Sequence, residues 1–458
     1  MLKKVLLTCA MCLGIFLVML DTTIMNIALP AIKEGINVDT DKLSWALNAY
    51  TIVFATFTIP LSRLADIYGK KKLLVIAFLL FGLGSLLSGL SDNFYQLITG
   101  RIIASFGASI LLPVGNTLGI STWSVEDRFK VVAALGLTQG GAAAIGPTLG
   151  GVITDNLSWN WIFFINIPIA LIAVILLIIS YESGEEIFVT KIDWIGSFIS
   201  MFGLFATALG LIKYREWGIT NTKTLICLVV AIVSLFLFIS IEKHINYPMI
   251  DLALFKKRVF TVSSLIAFIA QFFYIGVIVI LPTYFTTVQG KSELDAALIL
   301  LPMSVTVFLF GGLGSLVINK LGPRLLVFIG LLSILLSYYL LTTCDSSKVS
   351  SITLSTFVLG IGFGIIAGPI NVLAASDFSG EMLTASQSVI SVVRQIGSIF
   401  GVSVFMSMVT SHLSNLSTYD YSHLSDAYIS IYKPWLLPLL LLLLLAILFP
   451  RKNSYLER

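Results

Sequence analysis

The sequence predicts an all-α polytopic membrane protein: two six-helix bundles, two further helices inserted between them, and both termini in the cytoplasm. Three observations predict it. The 458 residues are 57% hydrophobic and only 11% charged, with a mean hydropathy of +0.99, whereas a soluble domain is about a quarter charged. Fourteen apolar stretches approach or exceed the roughly 20 residues that a helix needs to cross a bilayer. A loop pattern also occurs twice, at matching places in the two bundles.

In chain order, the first stretch is 5–29, preceded by Lys3 and Lys4. It is too long for a signal core, and no small-residue cleavage site precedes Asp21, so it reads as a retained helix. Stretches at 45–62, 73–90, 96–117, 131–154 and 161–180 complete a first bundle, residues 1–185. Those at 195–212 and 224–241 form the insertion, residues 186–255. Those at 260–286, 296–318, 324–342, 352–373, 383–410 and 434–450 form the second bundle, residues 256–458. Pro282 and Pro302 interrupt the first pair of that bundle.

An even number of spans puts both termini on one side. With the termini inside, eighteen of the 28 lysines and arginines fall in cytoplasmic segments, eight fall outside, and Arg101 and Arg394 lie within spans. Positive residues favour cytoplasmic loops. The acidic loop at 181–194 weighs little in that rule. The net charge of +4 is small and gives no reason to expect a nucleic-acid partner.

The repeat reads Ser62-Arg-Leu-Ala-Asp66-Ile-Tyr-Gly69-Lys70-Lys71 after the second stretch and Ser315-Leu-Val-Ile-Asn319-Lys-Leu-Gly322-Pro323-Arg324 after the tenth. Asp66 matches Asn319, Gly69 matches Gly322 and Lys71 matches Arg324. Parallel six-helix repeats are a transporter architecture, with the substrate site between the halves near the midplane.

Asp21 is the leading chemical candidate. A carboxylate at membrane depth costs about 2.5–3.5 kcal/mol on insertion scales, so such a group is a functional-site hypothesis by default. It is a candidate proton-binding site, and Arg101 is its natural partner. At 1.5 Å per residue, both lie roughly 8–12 Å below the outer edge of their helices. Deprotonated Asp21 would be stabilised by Arg101, and protonation would release that attraction. A static ion pair held for packing is the alternative.

The fifth stretch contains Gly136, Gln139, Gly140, Gly141, Gly146, Pro147, Gly150 and Gly151. Small residues at this density permit close helix approach, and Pro147 frees a backbone carbonyl. Gly146 and Gly150 are expected to face a neighbour from the other bundle, at an interface that opens and reseals. Arg394 lies near the midplane of the thirteenth stretch. It is a candidate for holding an anionic group, a carbonyl or water. Asn26, Asn116, Gln139, Gln271, Tyr274, Asn371 and Gln387 are candidate polar groups of a cavity otherwise rich in Phe, Met and Leu, which suits amphipathic ligands.

Other chemistry has little support. Cys9-x-x-Cys12 sits in an apolar stretch with no redox context, and the three histidines have no zinc-like spacing to cysteines. No metal, no cofactor beyond a proton gradient, and no enzymatic activity is expected.

These runs together resemble the major facilitator superfamily, and most closely its fourteen-helix drug:proton antiporters, the bacterial quaternary-ammonium and fluoroquinolone exporters. A first-helix motif appears as Asp21, Thr23, Asn26, Ala28 and Pro30. The loop motif keeps Leu64, Ala65, Asp66, Gly69, Lys70 and Lys71, but has Ser62 for glycine and Ile67 for arginine. A fourth-helix motif keeps Arg101 and Gly107, with Ala104 and Ser105 for glutamine and glycine. The fifth-helix antiporter motif is intact through Gly146, Pro147, Gly150 and Gly151. It is followed by Trp159-Asn160-Trp161, with Asn160 for the family's arginine. Arg394 matches an Arg-Gln-x-Gly segment.

The resemblance implies the major facilitator fold and a monomer in a bacterial plasma membrane. It implies proton-coupled export of dyes, quaternary ammonium compounds and fluoroquinolones by alternating access, with Asp66, Gly69, Lys70 and Lys71 in conformational gating beside the fifth-helix motif. The missing loop arginine puts part of that loop's charge network in question. Some homologous exporters carry a second acid in the tenth helix; here Glu293 and Asp295 sit only at its outer mouth. An exporter of one endogenous metabolite or lipid-like compound is the rival within transport. A non-transporting receptor or scaffold is the rival outside it.

Overall fold

The computed structural model describes residues 1–38, 40–124, 127–181, 193–218, 220–245, 247–248, 250–343, 348–414 and 421–450. The acidic loop at 182–192, Cys344 and the terminal residues from Arg451 lie outside that set. In the first bundle the helices are α1 (Leu2–Ile36), α2 (Thr40–Tyr68), α3 (Lys70–Gly89), α4 (Phe94–Ser121), α5 (Arg128–Asn156), α6 (Trp161–Phe164) and α7 (Asn166–Ser180). The inserted pair is α8 (Trp194–Trp217) and α9 (Thr222–Glu242). The second bundle holds α10 (Arg258–Thr287), α11 (Glu293–Leu321), α12 (Pro323–Thr343), α13 (Val349–Ala375), α14 (Gly380–Ser414), α15 (Tyr421–Ile429) and α16 (Leu436–Leu442).

Thirteen of the described spans are long and apolar enough to cross a membrane. The 29-residue α5, about 44 Å long, makes a fourteenth. Pro282 and Pro302 do not end their helices: α10 and α11 run through them. Neighbouring helices can re-satisfy the backbone groups that an intramembrane proline frees. The last span begins near His423 rather than Pro434. There Pro434 removes a backbone donor, and the chain passes through 3-10 turns at Ser430–Trp435 and Leu443–Leu448. The sixth span breaks at Ile165, three residues before Pro168, because the proline ring clashes with the carbonyl four residues back.

The loop repeat is visible in the backbone. Gly69 (φ 96°) and Gly322 (φ 80°) turn α2 into α3 and α11 into α12, conformations that glycine adopts without a Cβ penalty. Lys71 Nζ donates to the Tyr181 carbonyl (3.3 Å), just beyond α7. Its counterpart Arg324 donates to the Phe449 carbonyl (2.8 Å), just beyond the last span. Each basic residue therefore ties the third span of its bundle to the end of the sixth.

Helix pairs within the bundles repeat as well. A Cβ on Gly107 of α4 would lie 2.5 Å from the Ala77 carbonyl of α3, and one on Gly362 of α13 would lie 2.7 Å from the Gly330 carbonyl of α12. Backbone is thus packed directly on backbone.

The bundles meet along two seams. Along α5 and α11, a Cβ on Gly140 would come within 2.6 Å of Phe308 Cα, and one on Gly151 within 3.0 Å of Leu294. At the cytoplasmic ends of α2 and α14, Ser388 Oγ donates to Ser62 Oγ (2.6 Å), Thr384 Oγ1 donates to Asp66 (2.8 Å) and Arg63 pairs with Glu381 (2.5 Å). Nearer the outer surface α2 and α14 both pack on α8: Ile52, Ala208 and Ile399 form one apolar cluster, and Tyr214 Oη donates to the Ser403 carbonyl (2.8 Å). Helix α9 packs on α8 and is otherwise largely exposed. The two bundles are thus joined by hydrogen bonds and an ion pair at the cytoplasmic ends of α2 and α14.

Candidate functional site

Asp21 sits on the buried face of α1, between Leu20 and Ile24, and is itself 0% exposed. Its Oδ2 accepts a hydrogen bond from Arg101 Nη1 of α4 at 2.6 Å, and both side chains are 1% exposed. The break in the sixth span brings Asn166 to the same place. Its Nδ2 lies 3.4 Å from Asp21 Oδ1 and 3.3 Å from Ser85 Oγ of α3. Arg101 stacks over Tyr50 of α2, its Cζ 4.3 Å from the ring centre, with Phe163 of α6 at 5.9 Å. Arg101 Nε and Asn166 Oδ1 are buried without a hydrogen bond.

The matched depths read from the sequence thus become a direct contact, and every element of the first bundle except α5 supplies a wall. Removing two charges from water costs several kcal/mol per ion, which such a pair recovers only with good geometry and further hydrogen bonds. Loss of Asp21's charge would leave Arg101 without its carboxylate in that enclosure.

The glycines of α5 divide between two faces, which corrects the expectation that Gly146 and Gly150 meet the other bundle. They pack on α1. A Cβ on Gly146 would collide with Thr23, and one on Gly150 would lie 3.0 Å from Ile24. Gly136, Gly140, Gly141 and Gly151 face α11 instead. Helix period explains the division. At about 100° per residue, positions 140 and 151 lie within about 20° of each other, and 146 and 150 point away from them. Pro147 is helical, but its side chain, like that of Asn26, is outside the described set.

Asp66 is 2% exposed, with Lys70 Nζ at 3.0 Å and Arg63 Nη1 at 4.0 Å. Arg63 was not singled out in the sequence, yet it supplies a charge bridging Asp66 to Glu381 across the seam, in a loop where Ile67 replaces the family's arginine.

Residue patterns of the Major Facilitator Superfamily match residues 11–402. The chain belongs to this superfamily. It is 26% identical over 418 residues to the multidrug transporter protein MdtP of Bacillus subtilis, covering 91% of this chain and 77% of MdtP. It is 29% identical to the probable multidrug resistance protein EmrY of Escherichia coli, covering 88% and 79%, and 30% identical to the fatty acid resistance protein FarB of Neisseria gonorrhoeae, covering 87% and 79%. The fold matches the proton:xylose symporter XylE at a TM-score of 0.66 and 16% identity, covering 99% of this chain and 98% of that one. It matches the human organic anion transporter MFSD10 at 0.70 and 13%, covering 97% and 99%. The protein is therefore a multi-pass membrane transporter with multidrug-resistance relatives, and its family is not one of enzymes.

The transporter's candidate cavity residues separate into three groups. In the second bundle, Gln271 Nε2 of α10 donates to Ser398 Oγ of α14 at 2.9 Å, and the Tyr274 ring stacks on Phe363 of α13 at 3.9 Å. Arg394 Nη2 of α14 donates to the Ala367 carbonyl of α13 at 2.9 Å. These three contacts lie within about a turn of one another along their helices. In the first bundle, Gln139 Nε2 reaches Met19 Sδ at 3.6 Å. Asn116, Asn371 and Gln387 lie in the cytoplasmic halves of their helices at 9%, 5% and 1% exposure, within the closed layer.

Sequence reasoning missed Asn166 and Tyr50. Asn166 carried a usable signal, an amide in the apolar run Ile165-Asn166-Ile167. Tyr50 carried none that separates it from an ordinary core aromatic. No cluster of three or more potential metal ligands occurs among the described residues.

Proposed function

We propose that this transporter is a proton-coupled antiporter that exports lipophilic, amphipathic small molecules by alternating access, with Asp21 as its proton-binding carboxylate. The observation that carries the reading is the enclosed Asp21–Arg101 pair within the membrane. Proton entry contributes about 2.3 kcal/mol per elementary charge per 100 mV, besides the pH gradient.

Protonation removes the attraction between α1 and α4. Thr23, two residues beyond Asp21, packs on Gly146 of α5, and Gly140 of α5 packs on Phe308 of α11. A shift of α1 therefore has a contiguous packed route to the seam between the bundles, and packed interfaces rearrange between discrete states. In the proposed cycle, release of the latch between α2 and α14 opens the cytoplasmic side. The multidrug names of MdtP and EmrY support export of varied compounds. The name of FarB supports a narrower range of lipid-like ones.

Asp21→Asn tests the proton assignment. In proteoliposomes with an imposed pH gradient, the variant should lose gradient-driven efflux by at least about 100-fold while remaining folded, because an amide does not titrate at these pH values. Gradient-driven efflux at the wild-type rate would sink the assignment.

A further inference from the structure

We infer that the substrate chamber selects molecules carrying a carboxylate or another anionic head, held by Arg394, over molecules whose only charge is positive. This rests on the export reading above and names its substrate class.

Arg394 lies 14 residues into the 35-residue α14, about 21 Å from its cytoplasmic end. It is only partly buried there. A charged side chain at that depth faces the bundle interior or a water-filled opening rather than lipid. Among the described residues its one hydrogen bond goes to the Ala367 carbonyl, and a guanidinium has five N–H donors. Among the described residues no carboxylate lies within ion-pair distance of it. The surroundings add a second unused polar group: Tyr274 Oη is buried without a hydrogen bond, beside the Phe363 ring one turn from Ala367.

Asp21, the carboxylate that would welcome a cationic drug, is unavailable. It is fully enclosed and occupied by Arg101 and Asn166. Asp66 belongs to the cytoplasmic latch, where Lys70 and Thr384 engage it. The deep charge left without a carboxylate partner among the described residues is therefore positive. A planar guanidinium with free N–H groups binds a carboxylate with paired charge-assisted hydrogen bonds. Phe268, Phe363 and Phe400, partly exposed around the same turns of α10, α13 and α14, supply the apolar surface for an attached chain or ring.

The test is equilibrium binding to the purified full-length protein in nanodiscs, with protein-free nanodiscs as the partition control. Dodecanoate is compared with dodecyltrimethylammonium, which has the same chain and the opposite charge. Wild type should bind dodecanoate at least tenfold more tightly. Arg394→Gln should remove that preference, and Arg394→Lys should keep most of it, because the charge rather than the bond to Ala367 carries the selectivity. Equal binding of the two by wild type, or preference for the cation, overturns the inference. So does an Arg394→Gln protein that keeps the tenfold preference. Loss of both ligands to the same extent in Arg394→Gln and Arg394→Lys assigns the residue to packing and also overturns it. No gradient is applied, so Asp21→Asn efflux can fail or succeed independently of this result.

Discussion

The two bundles treat their deep charges differently. In the first, Asp21 and Arg101 are 0% and 1% exposed and satisfy each other, with Asn166 and Tyr50 completing the enclosure. In the second, Arg394 is partly exposed, bonded to one carbonyl, and without a carboxylate partner among the described residues. Equivalent helix packing and equivalent loop glycines therefore frame unequal chemistry. In the proposed reading, the sealed pair takes the proton and the unmatched cation takes the substrate. The inequality teaches that a duplicated scaffold can hold unequal charge environments in its two halves.

The largest expected effect breaks the sealed pair. Arg101→Ala leaves a buried carboxylate uncompensated and should cost about 3–5 kcal/mol of stability at neutral pH. Thermal melts of the purified variant and of wild type at neutral pH check this. A melting temperature equal to that of wild type would mean that Asp21 does not depend on Arg101.

An intermediate effect separates the two faces of α5. Gly140→Leu overpacks the seam against Phe308 and should cost about 1–3 kcal/mol in the state where that seam is closed. It should slow exchange between conformations more than it weakens drug binding. Gly146→Leu pushes on Thr23 instead, and should disturb the pH dependence of transport with less effect on exchange. Distance measurements by paired spin labels, together with efflux pH profiles, distinguish them. Identical behaviour of the two variants would erase the distinction.

The smallest effect concerns the latch. Glu381→Gln removes the Arg63 partner at a site where the glutamate side chain is 23% exposed. Such pairs are worth about 1 kcal/mol or less, so the cytoplasmic side should open at most roughly fivefold more often. Modification of a cysteine placed at Ser388 by a cytoplasmic thiol reagent measures that frequency. Slower modification than in the Glu381-containing control would show that the pair does not hold this side shut.

The sequence by itself determined the number of spans, the duplicated loop and the depth of Asp21 and Arg101. Hydropathy and helical rise are local quantities, so they need no knowledge of neighbours. Glycine at 69 and 322 was legible for the same reason, as a local backbone requirement. The tertiary structure alone decided which face of α5 meets which bundle, because a glycine-rich helix has no apolar stripe to announce its partner. It also decided that Asn166 turns to Asp21 through a helix break, that Arg63 reaches Glu381, and that Arg394 has no carboxylate beside it among the described residues. Those are pairings between side chains up to 318 residues apart, and only the packing of whole helices brings such groups within the few ångströms at which charge and hydrogen bonding act.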